Sequence, residues 1–229
     1  MISVIIPTLN AEAGLAETLT ALVPATVEGI VREVIVIDGG STDRTGAIAD
    51  QSGAQFVERS GGRGYQMLAG ARRARFPWLL FLHADTVLEQ GWEREANAFM
   101  GAVDAGKRPP AAAAFRFALD DIGARPRMLE RMVRLRCSLL KLPYGDQGLL
   151  IPKLLYDETG GHNPHPLMED VDLLRRLKRA QIVMLQARAL TSASRFKRDG
   201  YLRRSARNLG CLTLYLLRVR PAVINRLYG

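Results

Sequence analysis

The chain has few of the residues that mark disulfide-bonded, zinc-binding or membrane-spanning proteins. Its 229 residues include only two cysteines, Cys137 and Cys211, without the spacing of a metal site, so we expect buried free thiols. The longest uncharged apolar run near the C-terminus, residues 209–217, is far shorter than the ~20 residues that a membrane-spanning helix needs. Residues 1–4 have no basic region or long apolar region of a secretory signal. These absences predict a cytoplasmic protein.

Negative charge is scarce in the C-terminal part of the chain. Residues 178–229 contain 12 Lys and Arg but one acid, Asp199, a net charge of 12 − 1 = +11, whereas residues 1–177 contain 20 basic and 22 acidic residues, a net of −2. This tail lacks a nucleic-acid recognition motif and interleaved aromatic residues, so nucleic acid is a poor candidate partner. Three interpretations remain open: peripheral contact with an anionic membrane, a helix that covers the sheet or forms a homodimer contact, and a solvated helical face.

Short apolar runs alternate with helical patterns over the first 90 residues. The runs 2–7, 34–37, 54–57 and 78–82 predict strands, and residues 12–22, 42–51 and 64–75 predict helices, the second capped by Ser41. This alternation is typical of a mostly parallel α/β sheet, whose ligands collect beyond the carboxyl ends of the strands. Pro7, Asp38 and Asp85 fall at such ends.

The second half of the chain gives a less regular pattern, without internal repeats. Residues 112–119 predict a strand, and residues 148–152 are expected to belong to the core. Helices are predicted over residues 91–103, 154–159, 169–179 and 205–219. Residues 127–142 predict an amphipathic helix whose stripe of Met128, Met132, Leu135 and Leu139 is expected to pack on the core, with acceptor or membrane contact as the alternative. We expect a catalytic domain over residues 1–190 and a basic helical extension over residues 191–229.

Asp38 begins the segment most indicative of a ligand site. The glycines at 39 and 40 let a ligand approach the backbone, and the next helix N-terminus favours phosphate oxygens. Asp43 is expected to stabilise the first turn of that helix. The dinucleotide fingerprint G-x-G-x-x-G is absent after this strand. Arg63, in the sequence GGRG, is a candidate to contact a diphosphate.

Further carboxylates occur in the second half, in "GDQG" at 145–148 and "MEDVDLLRRL" at 168–177. Glu169 and Asp170 precede a helical apolar pattern, so they either stabilise its first turn or act on a ligand. A carboxylate there can take a proton from an acceptor hydroxyl.

Five segments together resemble the successive motifs of family 2 glycosyltransferases, which have the GT-A fold. They are "SVIIPTLNAE" at 3–12, "EVIVIDGGSTDRT" at 33–45, "FLHADT" at 81–86, "GDQG" and "MEDVDLLRRL". They occur in the family's order and cover residues 2 to about 185. "HAD", "GDQG" and "SASRF" at 192–196 further resemble a bacterial subgroup of small transferases associated with radical-SAM and selenoprotein-type domains.

The resemblance implies transfer of a sugar from a nucleotide-diphosphate donor to an acceptor hydroxyl, with inversion at the anomeric carbon. Asp85 would bind Mg²⁺ or Mn²⁺, and Asp170 would be the catalytic base. The acceptor is unknown, with a lipid-linked molecule as one candidate. The donor-binding residues would be Pro7, Leu9, Glu12, Asp38, Arg63, His83 and Asp85, and Asp146, Gln147 and Glu169 are candidates for the acceptor side.

The histidine of "FLHADT" departs from the family pattern, which commonly has an aspartate there. Asp85 keeps the position of the usual metal contact, so His83 is expected at the ribose or donor sugar, with a metal ligand and a packed, hydrogen-bonded histidine as alternatives. Leu68 replaces a common asparagine and puts a donor contact there in doubt. His162 and His165 are expected to be loop residues, with a metal contact as the alternative.

Two other functions share parts of this pattern. A nucleotidyltransferase is expected to carry a glycine-rich basic loop after its first strand, and "PTLNAE" at 7–12 is not such a loop. A non-catalytic nucleotide-binding protein of GT-A fold is the other alternative, since His83 and Leu68 both depart from the family pattern. Fold and motif do not identify the donor or the acceptor.

Overall fold

The computed structural model describes residues 1–165, 167–219, 221 and 223–224 and contains one mixed sheet. Its eight strands within these residues follow the order β3-β2-β1-β4-β7-β6-β8-β5. The strands are β1 (Ile2–Thr8), β2 (Val31–Asp38), β3 (Gln55–Glu58), β4 (Trp78–Phe81), β5 (Thr86–Leu88), β6 (Ala112–Asp120), β7 (Leu149–Pro152) and β8 (Ile182–Ser192). Strands β1 to β4 are parallel, as are β6 and β8, while β7 and β5 run antiparallel to their neighbours. The expected α/β sheet with mainly parallel strands is confirmed, with four parallel and three antiparallel strand pairs.

Helices cover both faces of the sheet, because successive side chains of a strand point to opposite faces. Ile2, Val4 and Ile6 of β1 join one core, whereas Ile5 joins the other. The helices are α1 (Glu12–Thr20), α2 (Val23–Val27), α3 (Thr45–Gln51), α4 (Arg63–Arg73), α5 (Trp92–Asp104), α6 (Ala124–Leu140), α7 (Lys153–Glu158), α8 (Glu169–Arg176), α9 (Ser194–Asp199) and α10 (Tyr201–Leu216). Helices α1 and α5 contribute to the first core, and α4, α7 and α8 to the second.

Strand β8 is the main element that the sequence patterns did not predict. It pairs in parallel with β6 over most of its length and antiparallel with β5, a short strand that was also not predicted. Because its sheet partners are some 70 and 100 residues away in sequence, its local pattern says little about its place. Position 190 lies inside β8, so the sheet extends beyond the expected boundary to Ser192. A division of the chain after that strand stays a prediction.

The C-terminal tail packs on the body of the protein through part of its apolar surface. Cys211 and Leu212 of α10 are buried against Leu167 and Val171 at the start of α8. Leu212 is thus buried, but against the start of α8 and not over the sheet as had been expected, whereas Leu209 remains 62% exposed. Both cysteines are buried free thiols, as expected. Arg220 and Arg226, two of the tail's basic residues, lie outside the described residues.

Two local expectations about helices were wrong. The stripe on α6 does not pack on the core, since Met128, Met132, Leu135 and Leu139 are 56–59% exposed and the opposite face carries the buried side chains. Ser41 does not cap α3, which begins at Thr45; its hydroxyl donates to Asp38 instead. Helical periodicity identifies an apolar face, but the neighbouring elements decide whether that face is covered. Within the described ranges, no helix is long and apolar enough to cross a membrane.

Candidate active site at the carboxyl end of the sheet

The loops after β1 and β2 are joined by hydrogen bonds between side chains and main chain. Asn10 accepts from Thr42 N at 2.9 Å and its own N–H donates to the Ser41 hydroxyl at 2.7 Å. Glu12 N donates to Asp43 at 3.0 Å, and Glu12 in return accepts from Arg44 N at 3.0 Å. Such reciprocal bonds hold two loops in one conformation, so these residues form a fixed frame beyond the sheet.

Asp38 is the centre of this frame. Its carboxylate accepts from Gly40 N (2.8 Å), Ser41 N (2.6 Å), the Ser41 hydroxyl (2.6 Å) and the Thr8 hydroxyl (2.8 Å). Burial opposes the charged form, but these bonds outweigh it and lower the pKa of Asp38 below its ordinary value. A carboxylate has about four acceptor positions, so a ligand would have to replace one of these bonds to reach Asp38.

The other residues predicted on the nucleotide side lie around this frame. Pro7 is buried within β1, while Leu9 in the following loop and Glu12 at the start of α1 are exposed. Asp43 lies two residues before α3 and not in its first turn, as had been expected, but it accepts from Thr45 N at 3.0 Å at the start of that helix. Leu68 is half-buried on α4.

Arg63, at the start of α4, connects this frame to the second half of the chain. Its Nε forms an ion pair with Glu169, and its Nη1 lies 3.3 Å from His83 Nε2. Glu169 is completely buried, and this burial raises its pKa even though Arg63 opposes the shift. The carboxylate of Glu169 therefore holds Arg63 in place. Glu169 does not line the pocket described below, so the structure does not support its expected contact with an acceptor.

His83 is held in the neutral form by its surroundings. Burial, followed by the charges of Arg63 and Arg195, lowers the pKa of His83 well below its ordinary value. Because arginine can only donate, Nε2 of His83 accepts from Arg63 and the ring proton is assigned to Nδ1. The histidine is thus packed and hydrogen-bonded, one of the two alternatives to the expected donor contact, although its ring still lines the pocket.

The "GDQG" loop fits between His83 and Asp170 because it begins with glycine. A Cβ at position 145 would lie 2.5 Å from His83 Nε2 and 3.3 Å from Asp170 Oδ2, so a larger residue would displace both groups. The free space lets Gly145 N donate to Asp170 Oδ2 at 2.6 Å, while Val171 N donates to Oδ1 at 2.7 Å. These two bonds fix the carboxylate of Asp170 at the pocket wall.

Gln147 does not lie where an acceptor would contact it. Its side chain is buried, donates to Phe115 O at 2.9 Å and accepts from Arg136 Nη2 at 3.2 Å. The expected acceptor contact is therefore not supported. Gln147 instead fixes the shape of the loop that carries Asp146.

A pocket opens between the end of β4, the "GDQG" loop, the start of α8 and the tail. Its cavity volume is about 130 Å³. Asp85, Asp146 and Asp170 line it, together with Arg63 and His83. The Asp85 carboxylate forms no hydrogen bond or ion pair with other described residues. The pocket thus combines a free carboxylate, a fixed carboxylate and a fixed cation.

The surroundings of Asp146 disfavour its charged form. Its Oδ1 is buried and has no hydrogen-bond partner among the described residues. Burial raises the pKa of Asp146 to about 6, with Asp170 and Asp85 adding to the shift and Arg136 opposing it. Carboxyl groups whose pKa is raised by desolvation and by specific neighbours inside a cleft are frequent in functional sites.

The tail supplies one wall of the pocket, which the sequence analysis missed. Arg195 and Phe196 of α9 and Arg204 and Asn208 of α10 line it, next to Ser192 at the end of β8. Ser192 N donates to the main-chain oxygen of Asp85 at 3.2 Å, which brings the "SASRF" segment directly beside the loop between β4 and β5. In the sequence, the "SASRF" motif was the only feature that singled out part of this wall, and it did not indicate where the segment lies in the fold.

The two remaining histidines do not form a metal site. His162 is buried, bonds to the Tyr156 hydroxyl at 3.1 Å and packs edge-on against Phe81, and burial lowers its pKa to about 3. His165 lies in the same loop and is half-buried. Among the described residues, no group of three or more His, Cys, Asp or Glu could hold a metal ion. A metal at Asp85 would therefore need oxygen ligands from a bound substrate.

Comparison with known proteins gives partial matches to sugar-transferring enzymes. A 58-residue segment, 25% of this chain, is 47% identical to "Glucosyl-3-phosphoglycerate synthase" of Mycobacterium tuberculosis, and covers 18% of that protein. An 85-residue segment, 37% of this chain, is 35% identical to "Low-salt glycan biosynthesis hexosyltransferase Agl6" of Haloferax volcanii, and covers 21% of it. The matched segments thus span only about a fifth of the curated relatives' lengths.

The fold is shared over a larger part of the chain. The crystal structure of the mycobacterial synthase with Mn²⁺, UDP-glucose and phosphoglyceric acid superposes with a TM-score of 0.56 at 22% identity, over 81% of this chain and 69% of that one. Its complex with Mg²⁺ and UDP gives the same score, over 84% of this chain and 69% of that one. Residues 3–104 match the model of "Glycosyl transferase family 2". The match to this family thus covers a little less than half of the chain, and the fold as a whole is GT-A-like.

Proposed function

We propose that this protein transfers a sugar from a nucleotide-diphosphate donor to an acceptor hydroxyl. The observation that carries the proposal is the arrangement of Asp85, Asp146 and Asp170 around one pocket, beside a hydrogen-bonded frame at the ends of β1 and β2. In α/β sheets, ligands bind beyond the carboxyl ends of the strands. The family 2 match over residues 3–104 supports the same activity.

The donor is proposed to lie with its nucleotide on the frame and its diphosphate near Asp85 and Arg63. Asp85 fits a hard divalent cation, because its carboxylate is free and such ions accept phosphate oxygens as further ligands. Mg²⁺ or Mn²⁺ bound there would offset charge on the departing nucleoside diphosphate. Arg63, held by Glu169, would bind the same phosphates. The structures of the mycobacterial synthase with Mn²⁺ and UDP-glucose support this donor class.

Asp170 is proposed as the base that takes the proton from the acceptor hydroxyl. Its carboxylate lines the pocket and is oriented by two main-chain N–H groups. Orientation of this kind is what a general base requires to reach a proton at hydrogen-bond distance. Attack in line with the leaving diphosphate would invert the anomeric carbon, a prediction that the coupling constant of the product's anomeric proton would test.

The proposal also concerns the subgroup of the enzyme, its acceptor and its cellular location. The motifs "HAD", "GDQG" and "SASRF" favour the radical-SAM and selenoprotein-domain-associated subgroup. One crystal structure of the mycobacterial synthase contains phosphoglyceric acid together with UDP-glucose. A lipid-linked acceptor is the alternative, with a cytoplasmic enzyme held at the membrane through its basic tail or assembled as a homodimer through it.

A nucleotide screen tests the proposal directly. Thermal unfolding of the whole chain would be followed with UDP, GDP, CDP, ADP and dTDP, each with and without Mn²⁺. A ligand at 100 times its Kd stabilises a protein by roughly 2.7 kcal/mol, so binding gives a clear rise in Tm. We expect one nucleotide to raise the Tm and Mn²⁺ to enlarge the rise. If no nucleotide changes the Tm with or without Mn²⁺, the proposed donor site is wrong.

A further inference from the structure

The outer face of α6 is an apolar stripe that the described residues leave uncovered. Met128, Met132, Leu135 and Leu139 are 59%, 56%, 59% and 59% exposed. At about 100° per residue, the four lie within a ~60° arc, roughly opposite the buried Val133 and Cys137. A row of four exposed large apolar side chains on one face is unusual for a solvated helix and marks an interaction surface.

Arginines border this stripe, and acids are nearly absent from it. By the same helical geometry, Arg125 lies about 60° to one side of Met128 and Arg131 about 60° to the other. Both side chains are exposed. Glu130 is the single acid of the helix, and it is engaged with Leu119 N at 2.9 Å and Arg127 at 2.8 Å. The helix therefore presents an apolar centre between cationic edges.

This charge pattern distinguishes between two possible partners of the apolar face, a second copy of the chain and a lipid surface. A second copy of the chain, paired across a two-fold axis, would place the arginines of one α6 against those of the other, with no free acid on the helix to compensate. An anionic lipid surface supplies the missing charge, and the apolar side chains enter its acyl boundary while the arginines remain at the headgroups.

We infer that α6 is a membrane-docking helix, which binds the surface of an anionic bilayer through Met128, Met132, Leu135 and Leu139 between Arg125 and Arg131. The same helix adjoins the proposed active site, because Arg136 stacks 3.5 Å over the ring of Tyr144, which lines the pocket. Docking through α6 thus places the pocket close to the lipid surface. This inference does not depend on the reaction proposed for the pocket.

Co-sedimentation of the whole chain with vesicles tests it. Wild-type protein is expected to pellet with phosphatidylcholine–phosphatidylglycerol vesicles at low salt and much less with pure phosphatidylcholine, since each arginine at an anionic surface strengthens binding about fivefold. The double variant Leu135→Ser/Leu139→Ser should lower the partition coefficient at least about tenfold. Met128→Gln/Met132→Gln tests the other half of the stripe in the same way.

The matched control is Val27→Ser/Leu154→Ser, which alters two apolar side chains on α2 and α7 that are even more exposed, at 82% and 71%. This control should bind as the wild type does. Unchanged binding in both α6 variants, with loss in Arg203→Gln/Arg207→Gln, would assign docking to the tail and overturn the inference. It would also be overturned if the wild type ignores anionic vesicles, or if it forms a dimer that Leu135→Ser/Leu139→Ser dissociates.

Discussion

The two sides of the proposed site differ in how their polar groups are used. On the frame side, Asp38 has four hydrogen-bond donors around it, and the loops after β1 and β2 bond mainly to each other. On the pocket side, Asp85 has no bonded partner and Asp146 keeps a buried oxygen unpaired within the described chain. The carboxylate on the frame side is therefore saturated with hydrogen bonds before any ligand binds, whereas carboxylates on the pocket side are not.

This difference suggests separate roles, with the frame providing a preformed binding surface and the pocket providing the reactive groups. Saturated groups give a preformed surface, which lowers the cost of ordering the site when a ligand arrives. Unpaired buried groups are costly to the folded state, so they persist where a ligand, a proton or a metal is to meet them. We therefore expect substitutions on the pocket side to affect activity, and those on the frame side to affect stability first.

The largest effect is expected for Asp170→Asn on the pocket side. The amide keeps the shape of the carboxylate but cannot take the acceptor's proton, so kcat for transfer should fall about 10²–10⁴-fold while nucleotide affinity stays unchanged. Steady-state kinetics and nucleotide titration measure the two quantities. Asp157→Asn, an exposed acid of α7, is the control and should retain wild-type kcat. Normal turnover in Asp170→Asn would contradict the assignment of the base.

Asp85→Asn should reduce the contribution of the metal to nucleotide binding. Removing the free carboxylate leaves the cation without its charged protein ligand, so the increase in affinity caused by Mn²⁺ should shrink at least about 10–100-fold. Calorimetric titration of the bound nucleotide with and without Mn²⁺ measures this. His83→Asp, in contrast, should preserve or raise metal affinity, because it adds a carboxylate near the same position. An unchanged Mn²⁺ effect in Asp85→Asn would show that the metal binds elsewhere.

Asp38→Asn should act mainly on stability. The amide cannot accept all four hydrogen bonds and turns a donor toward Thr8 or Ser41, so the free energy of unfolding should fall by about 1–3 kcal/mol. Since the pKa of Asp38 is lowered in the fold, its contribution is present at neutral pH and is lost as the pH falls through that lowered value. Urea unfolding at pH 7 measures the loss. A variant as stable as the wild type would mean that the frame does not depend on this carboxylate.

Asp146→Asn should change stability in the opposite direction. A folded pKa of about 6 means that the charged form is disfavoured, so wild-type stability is lost as the pH rises from about 4 through 6. Removing the charge should stabilise the ligand-free protein by about 1–2 kcal/mol at pH 8, less than the roughly 3 kcal/mol of two pKa units because the side chain is partly solvated. The gain should vanish near pH 4. Equal stability at both pH values would contradict a raised pKa.

Much of the frame could be predicted from local sequence. The apolar run of β1 and the sequence of β2 ending in Asp38 locate two neighbouring strand ends, because continuous β-branched runs indicate strands buried on both faces. The position of Asp43 near the start of a helix could also be predicted, because acids are favoured at helix N-termini. The bonding of Ser41 to Asp38 could not, since a serine before a helix equally predicts a cap.

On the pocket side, the sequence predicted individual residues but not their arrangement in space. Asp85, Asp146 and Asp170 were recognised individually, but their relation to Arg195 and Arg204 depends on β8, which pairs with β6 and brings the tail beside Asp85. The exposure of Leu135 and Leu139 is another such case, because an apolar stripe looks the same in sequence whether or not another element covers it.

The sequence by itself determined the alternation of strands and helices in the first half, the carboxylates at the strand ends and the cationic tail. These features depend on neighbours in the chain, through backbone geometry and side-chain periodicity. Only the tertiary structure decided that Asp38 is saturated, that Asp146 is not, that Glu169 holds Arg63 and that the tail forms a wall of the pocket. Those outcomes are set by contacts between residues far apart in sequence, and they also decide which carboxylate is free to react.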